Sequence, residues 1–395
     1  MARISSSSES SKKSSSNSKK RYGIELLPEE LMLKIFVLLP VVTLLRCKSV
    51  CKSWLSLILN PQFVETHLIE SRKRQPLSIL KLLGDQFYID TDHKTSSHLQ
   101  LPEHFTVVTG SVLCCNGLVC LANLECDTIY LWNPMIRKFK ILPTPKFKPT
   151  PVARTFHFCS FKLGFGYDGF CNDYKIVRIV LYTAYARYKT RDFVYSVHVE
   201  MYSANEDSWK EIEIPESIKF FKFYPSGEVG VFLPQTHGVL YFEGFYELLS
   251  FDLHEEVFRV YPYHVPGKYP IYERNEPRMS RLLNFEGSLA MIYAESIDVG
   301  ESFYSLWTFD VDCGNVSWTK QFNIENRSED DLVILYLDDG QFIVVKKKYF
   351  GPGSNYYYYT KKLAKKFLPP PGSFICTVAK YSESLVSLEG FEELE

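Results

Sequence analysis

From about residue 76 onward one unit keeps returning: a glycine, an apolar run, a second run closed by a turn, then an aromatic residue and a proline stop. Gly117-LVCLAN leads into YLWNPMIRKFKILP, with Trp132, Phe139 and Pro143 at the marked positions. LGFGYDGFCNDYKIVRIV leads into VEMYSANEDSWKEIEIP, with Tyr202, Trp209 and Pro215. Gly238, Gly287 and Gly340 open three further copies. Short runs of this kind between Gly, Pro, Asn and Asp read as strands of small antiparallel sheets. Such a sheet buries one face only by stacking on the next, and radial stacking leaves few open edges. Five units are clear. A sixth is assembled from PLSILKLL and FYIDTD near the start and FICTVAKYSESLVSLEG near the end, so the expected ring has six blades closed by a C-terminal strand.

Ahead of these units lies a stretch of different character, 27–68, with helical signals. Leu27, Leu31, Ile35 and Leu38 recur at helical spacing, Pro28 suits a first helical position, and Glu29 and Glu30 complement the positive end of the dipole. Pro40 is expected to stop this helix and Thr43 to cap a second over 44–50. Residues 52–58 read as a third helix carrying Trp54, and Asn60-Pro61 as cap and first residue of a fourth. Three short helices cannot hide Pro40, Val41, Val42, Leu44, Leu45, Val50 and Trp54 together, and so large an apolar surplus marks a partner surface. Cover by the repeats that follow is the competing expectation.

The pattern LP-x2-L-x3-I-x2-LLP followed by LLRCKSVCKSW resembles the F-box of plant F-box proteins. The phrases CCNGLVCL, LWNPMIRKFKILP, GFGYDGFCNDYKIVRI, WTKQF and ESLVSL are similar to the kelch-like, F-box-associated domain of the same family, whose repeat is close to the kelch period of roughly 50 residues. The Ser/Lys start, 1–22, is too polar to fold and is expected to be a disordered tail; the resemblance implies an F-box over 23–72 and a substrate-recognition propeller over 76–390. It further implies a non-catalytic receptor of an SCF-type ubiquitin ligase, bound to the Skp adaptor and through it to cullin and the RING subunit. Carried over residue by residue, the adaptor face would be Leu27, Pro28, Ile35, Leu38, Pro40, Leu44, Val50, Cys51, Lys52 and Trp54. Val42 departs from the family, many of whose plant members carry Lys or Arg there. A kelch-type scaffold without a ligase role and a propeller hydrolase are the rival readings. Within the family, pollen self-incompatibility determinants that target stylar ribonucleases and regulators of immune receptors share the layout.

Composition narrows the partners. A net charge of −1 lacks the basic excess of a general nucleic-acid binder. No apolar run reaches the roughly 18 residues of a membrane span, and the Ser/Lys start has no apolar segment of a secretory signal. The expected location is therefore the cytoplasm, the nucleus or both, with free thiols and with the sequons at Asn315 and Asn326 as chance matches.

Several constellations invite chemistry and fail on spacing. Gly164, Gly166 and Gly169 match a dinucleotide fingerprint, but strand and turn follow where a helix is needed. Cys114, Cys115, Cys120 and Cys126 lack the spacing of zinc ligands and alternate within apolar strands, so no metal and no cofactor is expected. No nucleophile–base order is visible, and acids such as Glu255-Glu256 fall at turns; no catalytic residue is expected. The lysines at 346–348 and 361–366 form a basic run, read first as a solvated face. Target recognition is assigned to 263–281, longer than a hairpin turn requires, through Tyr263, Tyr269, Tyr272, Arg274 and Arg278, residue types that dominate hot spots. The aromatic stretch 220–230 is a second candidate.

Overall fold

A computed structural model describes residues 27–74, 78–83, 86–91, 95–99, 112–123, 127–148, 156–187, 190–219, 221, 223, 230–233, 238–244, 247–262, 280–298, 301–312, 315–325, 331–336, 341–346, 356–360, 364–367 and 375–394. Four helices come first: α1 (Glu29–Phe36), α2 (Val41–Cys47), α3 (Lys52–Leu59) and α4 (Pro61–Arg74). Pro28 precedes α1, and its carbonyl accepts the N–H of Leu31 and of Met32 at 3.0 and 3.1 Å. Pro40 does the same for Thr43 and Leu44, so α2 begins at Val41 and not after a Thr43 cap. A proline has no N–H to waste at a helix start, which makes Pro40 the end of one helix and the threshold of the next. Asn60 caps α4 as expected, its Oδ1 accepting the Gln62 N–H at 2.9 Å.

The strands follow as antiparallel meanders. The first is β1 (Ser78–Leu83), β2 (Gln86–Thr91) and β3 (Thr95–Leu99); the second is β4 (Val112–Cys115), β5 (Leu118–Ala122), β6 (Ile129–Asn133) and β7 (Lys138–Ile141). The third is β8 (Phe156–Asp168), β9 (Asp173–Arg187), β10 (Thr190–Ser203) and β11 (Ser208–Glu211). A short helix, α5 (Glu216–Lys219), leads to the fourth: β12 (Val231–Leu233), β13 (Val239–Glu243), β14 (Glu247–Asp252) and β15 (Val257–Pro262). The fifth is β16 (Ser280–Phe285), β17 (Ser288–Asp298), β18 (Glu301–Asp312) and β19 (Asn315–Glu325). The sixth is β20 (Asp331–Tyr336), β21 (Gln341–Lys346), β22 (Tyr356–Thr360) and β23 (Ala364–Phe367). The next strand, β24 (Ile375–Tyr381), returns to the first sheet and pairs antiparallel with β1, Tyr381 opposite Ser78. One strand of each sheet touches one of the next in a single order: β24, β4, β8, β12, β16, β20, and β20 touches β24 again.

The recurring glycines have a local reason. Asn116-Gly117 and Glu286-Gly287 are two-residue hairpin turns in which both residues have positive φ, 54° and 80°, then 48° and 89°. That geometry matches the right-handed twist of the flanking strands and disfavours a Cβ at the second position. Elsewhere the hairpins end on one left-handed residue, Arg137, Asn172, Asp207 or Glu256. Leucine, isoleucine and aromatic side chains from facing sheets fill the space between them, as with Leu118, Leu131, Phe165 and Ile176 between the second and third sheets. The glycine fingerprint belongs to this packing. A Cβ on Gly164 would lie 2.7 Å from Leu240 Cδ1, and one on Gly166 2.7 Å from Leu253 Cδ1 and Phe232 Cδ2.

Beyond β24 the chain crosses back beneath the helices. Residues 385–388 form no strand, and the segment is held by a side chain. Buried Asn133 donates its Nδ2 to Ser384 O at 3.1 Å and to Val386 O at 2.8 Å. A two-residue strand, β25 (Glu392–Glu393), then pairs with β7 at the edge of the second sheet.

Candidate docking surface

Helix α1 has two apolar faces and can bury only one. Met32 and Phe36 point inward, joining Val41, Leu44, Ile58 and Phe63 in a small core. The other face carries Leu27, Leu31, Ile35 and Leu38, and all four are exposed, Ile35 at 44% and Leu38 at 60%. Val42 and Val50 of the same helical unit are exposed as well, Val50 at 57%. Leaving a side chain of this size in water forgoes roughly 1.5–3 kcal/mol of burial. The patch is thus a standing source of association free energy, not a face covered by the sheets.

Of the ten residues carried over from the family, Leu27, Pro28, Ile35, Leu38, Pro40, Val50 and Lys52 lie at the surface. Cys51 and Trp54 are half-buried; the indole meets Phe36 edge to face, with ring centroids 4.8 Å apart. Leu44 is the correction. It is completely buried, packed with Met32, Phe36, Val41, Ile58 and Phe63 in the core of the helices. Leu44 therefore holds the patch in shape and offers it no contact surface. Leu31 and Val42 were not among the ten, yet they sit in the same exposed patch; the spacing from Leu27 was the signal for Leu31.

The helices are seated on the sheets. Val64 and Leu68 of α4 pack on the core of the second and third sheets, and Met135 and Ile136 of the β6–β7 turn reach into the helical core. Leu385 inserts there too, only 4% exposed. His67 is buried with Nε2 2.8 Å from Leu39 O, which ties α4 to the end of α1. Arg72 donates to Asn116 Oδ1 in the first turn of the second sheet. Lys48, between helices and sheets, is pushed below the usual lysine value by burial and by Lys138 nearby.

Tyr263, Tyr269, Tyr272, Arg274 and Arg278 lie outside the described residues, as do Cys126 and most of the 346–366 lysine run. From the 220–230 stretch, Phe221 and Phe223 are buried, packed edge to face at 4.7 Å against the third and fourth sheets. Those two are core residues. Cys115 and Cys120 are buried among leucines, and burial pushes the Cys115 thiol up to about 12. No described helix is long and apolar enough to cross a membrane.

A helical unit with an apolar outer face, fixed on a set of four-stranded sheets, is the plan of a docking module joined to a propeller. Residues 78–387 match the model of the F-box associated beta propeller domain, and residues 24–69 match that of the F-box-like domain. The chain belongs to the F-box-associated β-propeller family of plant F-box proteins. Among relatives in Arabidopsis thaliana, it is 26% identical to F-box protein CPR1 over 320 residues, 76% of this chain and 73% of that one. It is 28% identical to F-box protein At4g22390 over 250 residues, 57% and 60% of the two chains. With another Arabidopsis F-box protein, 34% identical over 160 residues, the match spans 39% of this chain and 41% of the relative's length. Among solved structures, the WD40 domain of SCAP from fission yeast aligns with a TM-score of 0.28 at 8% identity, over 80% of this chain and 87% of that one.

Proposed function

We propose that this chain is the substrate-receptor subunit of an SCF-type ubiquitin ligase, working in the cytoplasm, the nucleus or both. The observation that carries the reading is the exposed apolar patch of Leu27, Leu31, Ile35, Leu38, Val42 and Val50 on a segment matching the F-box. A Skp-type adaptor covers this patch and brings cullin and the RING subunit with it. The sheets hold the target. No residue of this chain acts on a bond; the contribution to rate is the raised effective concentration of a target lysine near activated ubiquitin. The target surface is assigned to Tyr263, Tyr269, Tyr272, Arg274 and Arg278, from residue type and the length of their stretch in the sequence.

The test titrates the full chain against a plant Skp adaptor. Leu38→Asp places a charge in the middle of the apolar contact and should cost about 2 kcal/mol or more, roughly thirtyfold in Kd. The side chain is exposed, so the variant should melt as the parent does. Equal affinities for the two chains would refute adaptor docking at this patch and leave the kelch-type scaffold reading standing.

A further inference from the structure

Three side chains with metal-binding atoms converge where the third sheet meets the fourth. Asp168 ends β8, Cys171 lies in the β8–β9 turn, and His254 lies in the β14–β15 turn. Asp168 Oδ2, Cys171 Sγ and His254 Nδ1 all lie within 4.8 Å of one another. His254 Nδ1 is 3.2 Å from the carboxylate oxygen and 3.5 Å from the sulfur. A tetrahedral zinc with ordinary bond lengths has an N–O edge of about 3.3 Å and an N–S edge of about 3.5 Å. The two separations match two edges of that tetrahedron, and the oxygen–sulfur separation lies within 4.8 Å.

We propose that Asp168, Cys171 and His254 form a zinc site that clips the third and fourth sheets together, its fourth position open to water. This goes beyond the docking role and does not depend on it. The donor set of thiolate, imidazole and carboxylate suits a borderline ion such as Zn2+, while Ca2+ and Mg2+ prefer all-oxygen sets. The surroundings supply what such a site needs. Asp168 is fully buried; its Oδ1 accepts the N–H of Phe170 at 3.0 Å, and Lys175 Nζ lies 2.8 Å from Oδ2, so the ion would share that oxygen with an ammonium and take its remaining lone pair. Lys175 also bonds Leu253 O at 2.7 Å, which fixes one turn against the other before any ion arrives. Phe170 packs on the His254 ring with centroids 4.6 Å apart and sets its orientation. Cys171 and His254 are both exposed, so an ion reaches the site without opening the fold. On binding, the Cys171 thiol releases its proton to solvent. In the loaded site His254 carries its one proton on Nε2, and Nδ1 gives up its hydrogen bond to Asp168, its proton passing to solvent, to offer its lone pair to the metal.

Sequence spacing hides this trio, since Cys171 and His254 come from different hairpins, 83 residues apart. The test uses the full chain with Co2+ alone, whose thiolate-to-metal absorption reports a bound cysteine, and with Zn2+ alone as competitor. One equivalent of Co2+ should give that absorption and one of Zn2+ should remove it. Cys171→Ser should abolish the band, and His254→Gln should weaken Zn2+ binding at least ~tenfold. No band with the unaltered chain, or a band that survives Cys171→Ser, overturns the site. A second measurement avoids variants altogether: Zn2+ should shield Cys171 from iodoacetamide, mapped by mass spectrometry. Alkylation of Cys171 at an unchanged rate overturns the site as well.

Discussion

Asn133 shows how much one amide can fix. It ends β6 completely buried, with Nδ2 on two carbonyls of the C-terminal segment and Oδ1 accepting the Met135 N–H at 3.0 Å. Its neighbour across that contact, Glu383, is less well served. The folded chain strips water from its carboxyl and raises it above the ordinary 4.5. Such an acid keeps its proton in the folded chain at pH values where the unfolded chain has lost it. The unfolded state then binds fewer protons, and stability falls as pH rises from 4.5 toward the folded value. Glu383→Gln should therefore melt higher than the parent at neutral pH, with the difference closing below pH 4.5. Superimposable melting curves across that range would mean that Glu383 stays solvated. Other buried charges are paired: Arg178 meets Glu200 at 2.8 Å and Phe147 O at 3.1 Å, and Lys175 meets Asp168. Their burial was not legible beforehand. In KIVRIV the lysine and the arginine are three apart and so fall on opposite faces of the strand, and only the partners from β8, β10 and residue 147 explain why both are inside.

At the scale of the element, α1 separates into a face that folds and a face that binds. Phe36→Ala removes a core ring and should cost about 3–5 kcal/mol. Leu38→Ala, on the exposed side, should leave the melting temperature nearly unchanged. Full-chain thermal melts of the two variants check the division; equal destabilisation would place Leu38 in the core. The apolar spacing of Leu27, Leu31, Ile35 and Leu38 was plain in the sequence, but spacing gives a stripe without saying whether it faces the fold or a partner. The start of α2 was misjudged because Thr43 is a good cap, and Pro40 is an equally good helix boundary one turn earlier. The hairpins were the most legible elements of all. Asn116-Gly117 is the pair that a two-residue turn with positive φ favours, whereas Glu286, Arg137 and Glu256 enter the left-handed region without a preference for it.

Across the whole molecule, the pairing of β24 with β1 joins the two ends of the repeat region. The expectation that both ends share a sheet rested on counting: five units were whole and the leftover pieces added up to a sixth. Without β24, the edge of β1 would present unpaired backbone groups, an invitation to aggregate. Deleting residues 373–395 should therefore yield an aggregating or unfolded large domain, read by light scattering and circular dichroism. Deleting residues 1–20 should change neither. A monomeric 373–395 deletion with an unchanged melting temperature would show that β24 is dispensable. The recognition residues at 263–281 rest on side-chain type and on the length of the stretch. Residue type tells which side chains bind well, and it carries nothing about the loop geometry that would bring them together.

Leu385 sits in the core of helices that end at Arg74. A ribosome adding about 5–20 residues per second makes those helices first and delivers the leucine tens of seconds later. Through that interval the nascent docking module has an unfilled core and no Asn133–Val386 seat beneath it. Translation order thus leaves the exposed apolar patch on helices whose core gains Leu385 only when the chain reaches that residue.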